Sequence, residues 1–445
     1  MKKKFLPLLL AIFLFCFSLP ANAYQINDYE MHHEAGLIVH LDTGKVIYEK
    51  NADKKMYPAS ITRLMAAIVM VENIPDLENT KILYTKTAND LILGTGSVVL
   101  NLQIGEEMVA KDALAALLIS SCGDVANAIA EHVGGSNEGF VELMNKKAAE
   151  MGLKDTHFEN PVGLHHDNHY TTANDIHKMA VKAFENDLIK RFCSASRYTL
   201  SATNMAGERT IVTSNMLLNP NSNVYYKYAG AGKTGYTEKA GRCLVSTATY
   251  KGYEYLAIVL KTSTPGGVRN DFIDVANMFR WAFNNFEYKT VFESTTPIAE
   301  APIRLSADSD HLPVCFAGGL KTILPKEADA STIKYEIHLN KEEFTAPVNK
   351  GDVIGTADIF YAEEKIGTLD LVAGQTVKAS PLLVFLDAVK SFLTSAFMKV
   401  VYIIVAAAIV IFALAVFFLN RGKKKTRKVK YVPMKKDEFD DFIIK

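Results

Sequence analysis

The sequence predicts a mixed α/β domain over residues 24–287, a small all-β domain over residues 288–378 and one C-terminal transmembrane helix over residues 400–419. Three observations carry this. Between Tyr24 and Phe286, apolar runs of strand length alternate with helix-period patterns. From Tyr288 to about Val377, short β-type runs are separated by Pro, Gly, Asp and Ser. Val400 to Leu419 is a stretch of twenty residues without a charge, long enough to cross the hydrocarbon core as a helix.

The elements follow in order. Residues 1–23 read as a signal peptide: Lys2, Lys3 and Lys4 precede an apolar run from Phe5 to Leu19, and Ala21-Asn22-Ala23 gives small residues for cleavage before Tyr24. Ala35 to Tyr48 reads as two short strands around an Asp42-Thr43-Gly44 turn. Pro58 opens a helix on which Leu64, Ala67, Ile68 and Met70 are apolar. Asp112 to His132 is an apolar helical region interrupted near Ser120-Ser121-Cys122-Gly123, and Thr172 to Glu185 is helical. Arg242–Ala248 and Glu254–Lys261 read as antiparallel strands joined at Lys251-Gly252, and Asp274 to Asn285 closes the domain as a helix. Residues 379–399 form a juxtamembrane segment, amphipathic from Pro381 to Lys399. Residues 420–445 form a basic tail that begins with Arg421, Lys423, Lys424, Lys425, Arg427, Lys428 and Lys430. By the positive-inside rule that tail stays cytoplasmic, which with an exported N-terminus predicts a single-pass type I protein of the cell membrane.

The formal net charge of zero conceals an asymmetry. Residues 24–398 contain 35 Lys+Arg and 45 Asp+Glu, a net of −10, which argues against nucleic acid as a partner of the exported part. Beside a membrane span, the basic tail reads as a topology anchor on anionic lipid. Cys122, Cys193, Cys243 and Cys315 are scattered without CxxC spacing, which supports neither a zinc site nor a dense disulfide framework. The histidines show no metal spacing, so no metal or other cofactor is expected.

Two short stretches carry chemistry. In Pro58-Ala59-Ser60-Ile61-Thr62-Arg63, a serine at a helix start is followed one turn later by a cation on the same face. A serine hydroxyl needs a proton acceptor and an oxyanion site, and a helix N-terminus favours developing negative charge. Lys233-Thr234-Gly235 lies where a strand should form. Its lysine and threonine can bind a carboxylate, and its glycine permits close approach of substrate backbone.

Together these stretches resemble the D-alanyl-D-alanine carboxypeptidases, the low-molecular-weight penicillin-binding proteins with S-x-x-K, S-x-N and K-T-G motifs. The resemblance includes Pro58-Ala59-Ser60 with Leu64-Met65, Phe158 to His165, Tyr170 to Asp175, Thr213 to Leu218, Gly232 to Thr237 and Ala240 to Cys243. It ends in Phe344 to Gly351 with Val353-Ile354-Gly355. It implies a serine β-lactamase/D,D-peptidase-like fold for residues 24–287. It also implies peptidoglycan D-Ala-D-Ala peptides as substrate and β-lactams as inhibitors. Carried over by motif, Ser60 is the nucleophile and Ser121 the second-motif serine. Lys233 and Thr234 bind the substrate carboxylate, and the backbone N–H groups of Ser60 and Tyr236 form the oxyanion hole.

Two positions depart from the family pattern. Arg63 stands where the family has its lysine base, and Gly123 where it has an asparagine. An arginine keeps the charge and the donors but cannot accept a proton at neutral pH. Loss of a general base typically lowers the rate by about 10²–10⁴-fold. Gly123 removes a side-chain amide expected to hold substrate, worth roughly 1–3 kcal/mol. Two readings follow: a serine carboxypeptidase acting through a Ser60 acyl-enzyme, or an impaired relative that binds cell-wall peptide or partners without turnover. Cys122, beside Ser121, reads either as an exposed thiol or as a small buried residue.

Overall fold

A computed structural model describes residues 24–292 and 297–422. The proposed signal peptide and nearly all of the basic tail lie outside the described residues.

The N-terminal part is built on one five-stranded antiparallel sheet. Its strands are β1 (Ala35–His40), β2 (Val46–Lys50), β3 (Ala229–Thr237), β4 (Gly241–Tyr250) and β5 (Tyr253–Thr262), in the spatial order β2-β1-β5-β4-β3. The central strands are buried on both faces, so their apolar runs are continuous and their alternation decides which core each side chain joins. Leu37, Val39, Val245, Ile258 and Leu260 enter one core. Ile38, Leu244, Ala248, Ala257 and Val259 enter the other.

The first core lies under helices α1 (Arg63–Asn73), α2 (Ala110–Ala115), α3 (Gly123–Gly134), α4 (Asn137–Glu150), α5 (Ala173–Phe184) and α6 (Asp187–Ser194). Eight of the eleven residues of α1 are buried, among them Leu64, Ala67, Ile68 and Met70. The second core lies under α7 (Asn270–Asn285), which presents Phe272, Val275, Phe279 and Ala282 to the sheet. Helix α7 starts four residues before the predicted Asp274, and α5 is capped by Thr172, whose side chain accepts from the Asp175 N–H.

The C-terminal β part holds a six-stranded sheet of β6 (Pro297–Arg304), β7 (His311–Phe316), β8 (Ile333–Leu339), β9 (Phe344–Thr345), β10 (Val353–Tyr361) and β11 (Glu364–Ala373). Its order is β8-β10-β11-β7-β6-β9. Two helices follow, α8 (Pro381–Thr394) and α9 (Ala396–Gly422). Among the described residues, one helix is long and apolar enough to cross a membrane: Ala396–Arg421, with a mean hydropathy of 3.1.

Candidate active site

The sequence pattern places a helix start at Pro58. The structure inserts a tight 3₁₀ turn, Ala59–Thr62, before α1 begins at Arg63. Ala59 has φ +48°, a left-handed conformation that a residue with a Cβ adopts only under constraint. The constraint is visible at two glycines. A Cβ on Gly163 would lie 2.1 Å from the Ala59 carbonyl oxygen, and one on Gly235 would lie 2.7 Å from the Pro58 oxygen and 3.2 Å from the Ser60 nitrogen. The Ser60 turn is therefore gripped between β3 and the Val162-Gly163-Leu164 segment. At Gly235, the space a Cβ would need is occupied by the chain's own backbone at the Ser60 turn. Asn160 holds that segment in shape, its side-chain oxygen accepting from the N–H groups of Gly163 (2.7 Å) and Leu164 (2.9 Å).

The interruption expected at residues 120–123 is real. After α2 the helix widens into a π-helical turn, Ala116–Ser120, and ends at Ser121 in the left-handed region (φ +62°). That break turns the Ser121 hydroxyl toward two buried cations. Arg63 Nη1 donates to Ser121 Oγ at 2.7 Å and also to the Ser121 carbonyl. Lys233 Nζ, from β3, donates to the same Oγ at 2.6 Å and to the Thr234 carbonyl at 3.1 Å. Arg63 completes its fork with Nε on the Val162 carbonyl (3.0 Å) and Nη2 on Ser97 Oγ (3.1 Å). Both cations are sealed from solvent, Arg63 at 2% and Lys233 at 1% exposure.

Burial dominates the electrostatics. It pulls the Arg63 guanidinium down to about 10, so the group remains charged at neutral pH. Burial, then the positive charge of Arg63, pull the Lys233 amine down to about 7. Cys122 is buried, and burial pushes its thiol up to about 12, which leaves no thiolate beside Ser121. Cys122, Cys193, Cys243 and Cys315 are all free and buried. No cluster of three metal-ligating side chains occurs among the described residues.

Gly123 opens α3, and the room left by its missing side chain is occupied. A Cβ there would lie 2.5 Å from Ser97 Oγ and 2.8 Å from Ile92 Cδ1. Ser97 belongs to a segment tied down beside α3. The Gly123 N–H donates to the Val98 carbonyl (2.7 Å), and the buried Asp124 carboxylate accepts from the N–H groups of Leu100 (2.9 Å) and Leu102 (3.2 Å). Arg63 and Gly123 thus belong to one arrangement, because Arg63 reaches the serine that fills the space over Gly123. Gly123→Asn alone is expected to destabilise the protein by about 1–3 kcal/mol through overpacking, with Ser97→Gly in the same chain restoring most of it. Thermal melts of the two variants check this, and an unchanged midpoint for Gly123→Asn would show that the segment yields freely.

Ser60, Arg63, Ser97, Ser121, Ser214, Thr234, Gly235 and Tyr236 line one cleft of ≈ 440 Å³. Lys233 contacts the cleft residue Ser121, and Gly123 lies beneath Ser97. Thr234 Oγ1 donates to Ser214 Oγ at 2.8 Å, which gives the Thr213-Ser214-Asn215 stretch its place. Sequence reasoning missed Ser97, Arg242 and Arg269. Arg269 pairs with Asp271 through two bonds of 2.9 and 2.7 Å. Arg242 lies 4.0 Å over the Tyr236 ring, and among the described residues no carboxylate pairs with it. Two guanidinium groups lining the same cleft as Thr234 are a signal only once the fold brings them there.

Comparison with known proteins agrees with this architecture. The D-alanyl-D-alanine carboxypeptidase family model matches residues 22–264, and the model of the penicillin-binding protein 5 C-terminal domain matches residues 286–379. The D-alanyl-D-alanine carboxypeptidase DacF of Bacillus subtilis is 30% identical over 390 residues, which cover 87% of this chain and 97% of the relative. The D-alanyl-D-alanine carboxypeptidase DacC of Escherichia coli is 26% identical, covering 82% and 90%. In fold, the chain is similar to the crystal structure of the D-alanyl-D-alanine carboxypeptidase DacD from Francisella tularensis. The TM-score is 0.63 at 22% identity, covering 81% of this chain and 97% of that one. The chain belongs to the D-alanyl-D-alanine carboxypeptidase family, the low-molecular-weight penicillin-binding proteins, which are serine hydrolases.

Proposed function

We propose that this protein removes the terminal D-alanine from peptidoglycan stem peptides through an acyl-enzyme on Ser60. One observation supports the reading above the others: Ser121 Oγ, held between Arg63 and Lys233, faces the same cleft as Ser60. Ser60 attacks the carbonyl of the D-Ala-D-Ala bond. The backbone N–H groups of Ser60 and Tyr236 stabilise the oxyanion, and Thr234 with Arg242 and Arg269 binds the terminal carboxylate. Position 123 contributes no side chain to substrate, so backbone along the edge strand β3 holds the peptide.

The reading extends to the cell envelope. Residues 400–419 anchor the protein as a single-pass type I membrane protein, with residues 1–23 removed on export and the 420–445 tail on the cytoplasmic side.

A second reading, a wall-peptide binding protein without turnover, is favoured by the one observation that Arg63 cannot accept a proton. One assay separates the two. The full chain, incubated with a fluorescent penicillin and separately with a peptide ending in D-Ala-D-Ala, should become labelled and release D-alanine. Ser60→Ala should do neither. A wild-type chain that binds the peptide without label or release establishes the binding reading.

A further inference from the structure

The two cations at Ser121 present a problem that the resemblance does not resolve. A hydroxyl oxygen has two lone pairs and one proton. Arg63 donates into one lone pair at 2.7 Å, and Lys233 approaches at 2.6 Å. If Lys233 were an ammonium group, two buried positive charges would meet at one oxygen. Among the described residues no carboxylate pairs with either. The nearby buried acid, Asp124, three residues after Ser121, is hydrogen-bonded by the N–H groups of Leu100, Leu102 and Val125, and its charge favours the protonated Arg63 and not Lys233. One charge must be given up, and a guanidinium does not release its proton at physiological pH. The amine does, as burial and the neighbouring Arg63 charge both favour its neutral form. The titratable groups that face Lys233 are Arg63 from α1, Cys122 before α3 and Cys193 from α6. Both thiols are pushed up to about 12 by burial and stay neutral.

With Lys233 neutral, the hydrogen bond between it and Ser121 reverses. The Ser121 O–H donates to the Nζ lone pair, while an amine N–H keeps the Thr234 carbonyl. Ser121 Oγ then has one lone pair free, and Ser60 lines the same cleft as Ser121.

We propose that Lys233, acting through Ser121, is the proton acceptor for Ser60, so that positions 63 and 233 exchange the roles of fixed cation and titrating amine. The proposal rests on the Ser60 acyl-enzyme reading. As Ser60 Oγ bonds to the carbonyl carbon, its proton passes to Ser121 Oγ and the Ser121 proton passes to Lys233 Nζ. The carbonyl electron pair moves to the oxyanion. On collapse the C–N bond breaks, and the leaving D-alanine nitrogen takes its proton from Ser121, which is refilled from Lys233. A water molecule then attacks the ester and sends a proton along the same path. Ser60 Oγ leaves with a proton returned from Lys233, and the site is as it began.

The test measures the rate of Ser60 labelling by a fluorescent penicillin on the full chain between pH 5.5 and 9. The rate should rise about tenfold per pH unit below neutrality and level off above about 7, because only the neutral amine accepts the proton. Lys233→Arg, which fixes a positive charge at this position and removes the titrating amine, should lose at least about 100-fold at every pH. The exchange variant Arg63→Lys with Lys233→Arg should recover to within about tenfold of wild type, which a merely structural Lys233 would not permit. Wild-type labelling by Lys233→Arg, or Ser60-dependent labelling with a flat pH profile, overturns the relay and leaves the Ser60 reading standing. If the variants do not fold, the ¹⁵N shift of Lys233 Nζ in the wild-type chain decides: an amine still protonated at pH 9 overturns the proposal. Absence of Ser60 labelling at every pH overturns the Ser60 reading and the relay with it.

Discussion

Arg63→Ala is expected to lower stability by about 2–4 kcal/mol and to slow Ser60 acylation at pH 7 by about 10²–10³-fold. The guanidinium joins three separate stretches of chain through the Val162 carbonyl, the Ser121 carbonyl and hydroxyl, and Ser97 Oγ. Truncation leaves buried carbonyls without donors and opens a void among packed groups. Removing a buried cation also relieves its desolvation, which is why the expected loss stays below that for breaking a buried ion pair. The same truncation takes a like charge away from Lys233, so the amine holds its proton more tightly. The midpoint of the pH–rate profile should therefore move upward from about 7. Urea unfolding with an unchanged m-value measures the first effect, and labelling rates across pH the second. A variant within about 0.5 kcal/mol of wild type would mean that water replaces the guanidinium without loss.

Gly235→Ala is expected to reduce acylation about 100-fold with a smaller effect on stability. The added Cβ would meet the Pro58 carbonyl at 2.7 Å and the Ser60 nitrogen at 3.2 Å, and both are backbone atoms that cannot rotate away. Strand β3 must then retreat from the Ser60 turn, carrying Thr234 and Tyr236 with it. Gly207→Ala, where a Cβ meets nothing within 4 Å, is the control and should label at the wild-type rate. Equal rates for the two alanine variants would show that the contact between β3 and the Ser60 turn does not set the geometry of the site.

The sheet and the helices of the first core were readable because burial imposes periodicity. Val245 and Leu244 fall in different cores because neighbouring strand residues face opposite ways. The break at Ser121 was readable because Ser-Ser-Cys-Gly interrupts an apolar helix, although the sequence could not foretell that the break would be a π-helical turn. Ser97 was not readable. Its segment has no periodicity, and its position is set by the Asp124 carboxylate, which accepts N–H groups 22 and 24 residues back in the chain. Arg242 and Arg269 were missed for a related reason: a single arginine carries no local signal, and only the turn from β3 to β4 and the start of α7 bring the two to one cleft. The close approach of the Ser60 turn to Gly235 was not readable, because a glycine reports that something comes close without saying what.

The packing of Ser97 over Gly123 bears on how such a site can change by descent. Arg63, Ser97 and Gly123 fit one another, and an asparagine at 123 collides with the serine that an arginine at 63 engages. A larger side chain at 123 is therefore expected to be accommodated more easily once position 97 has become smaller. Arg63 and Gly123 are coupled in this protein through Ser97, a residue outside the motif stretches.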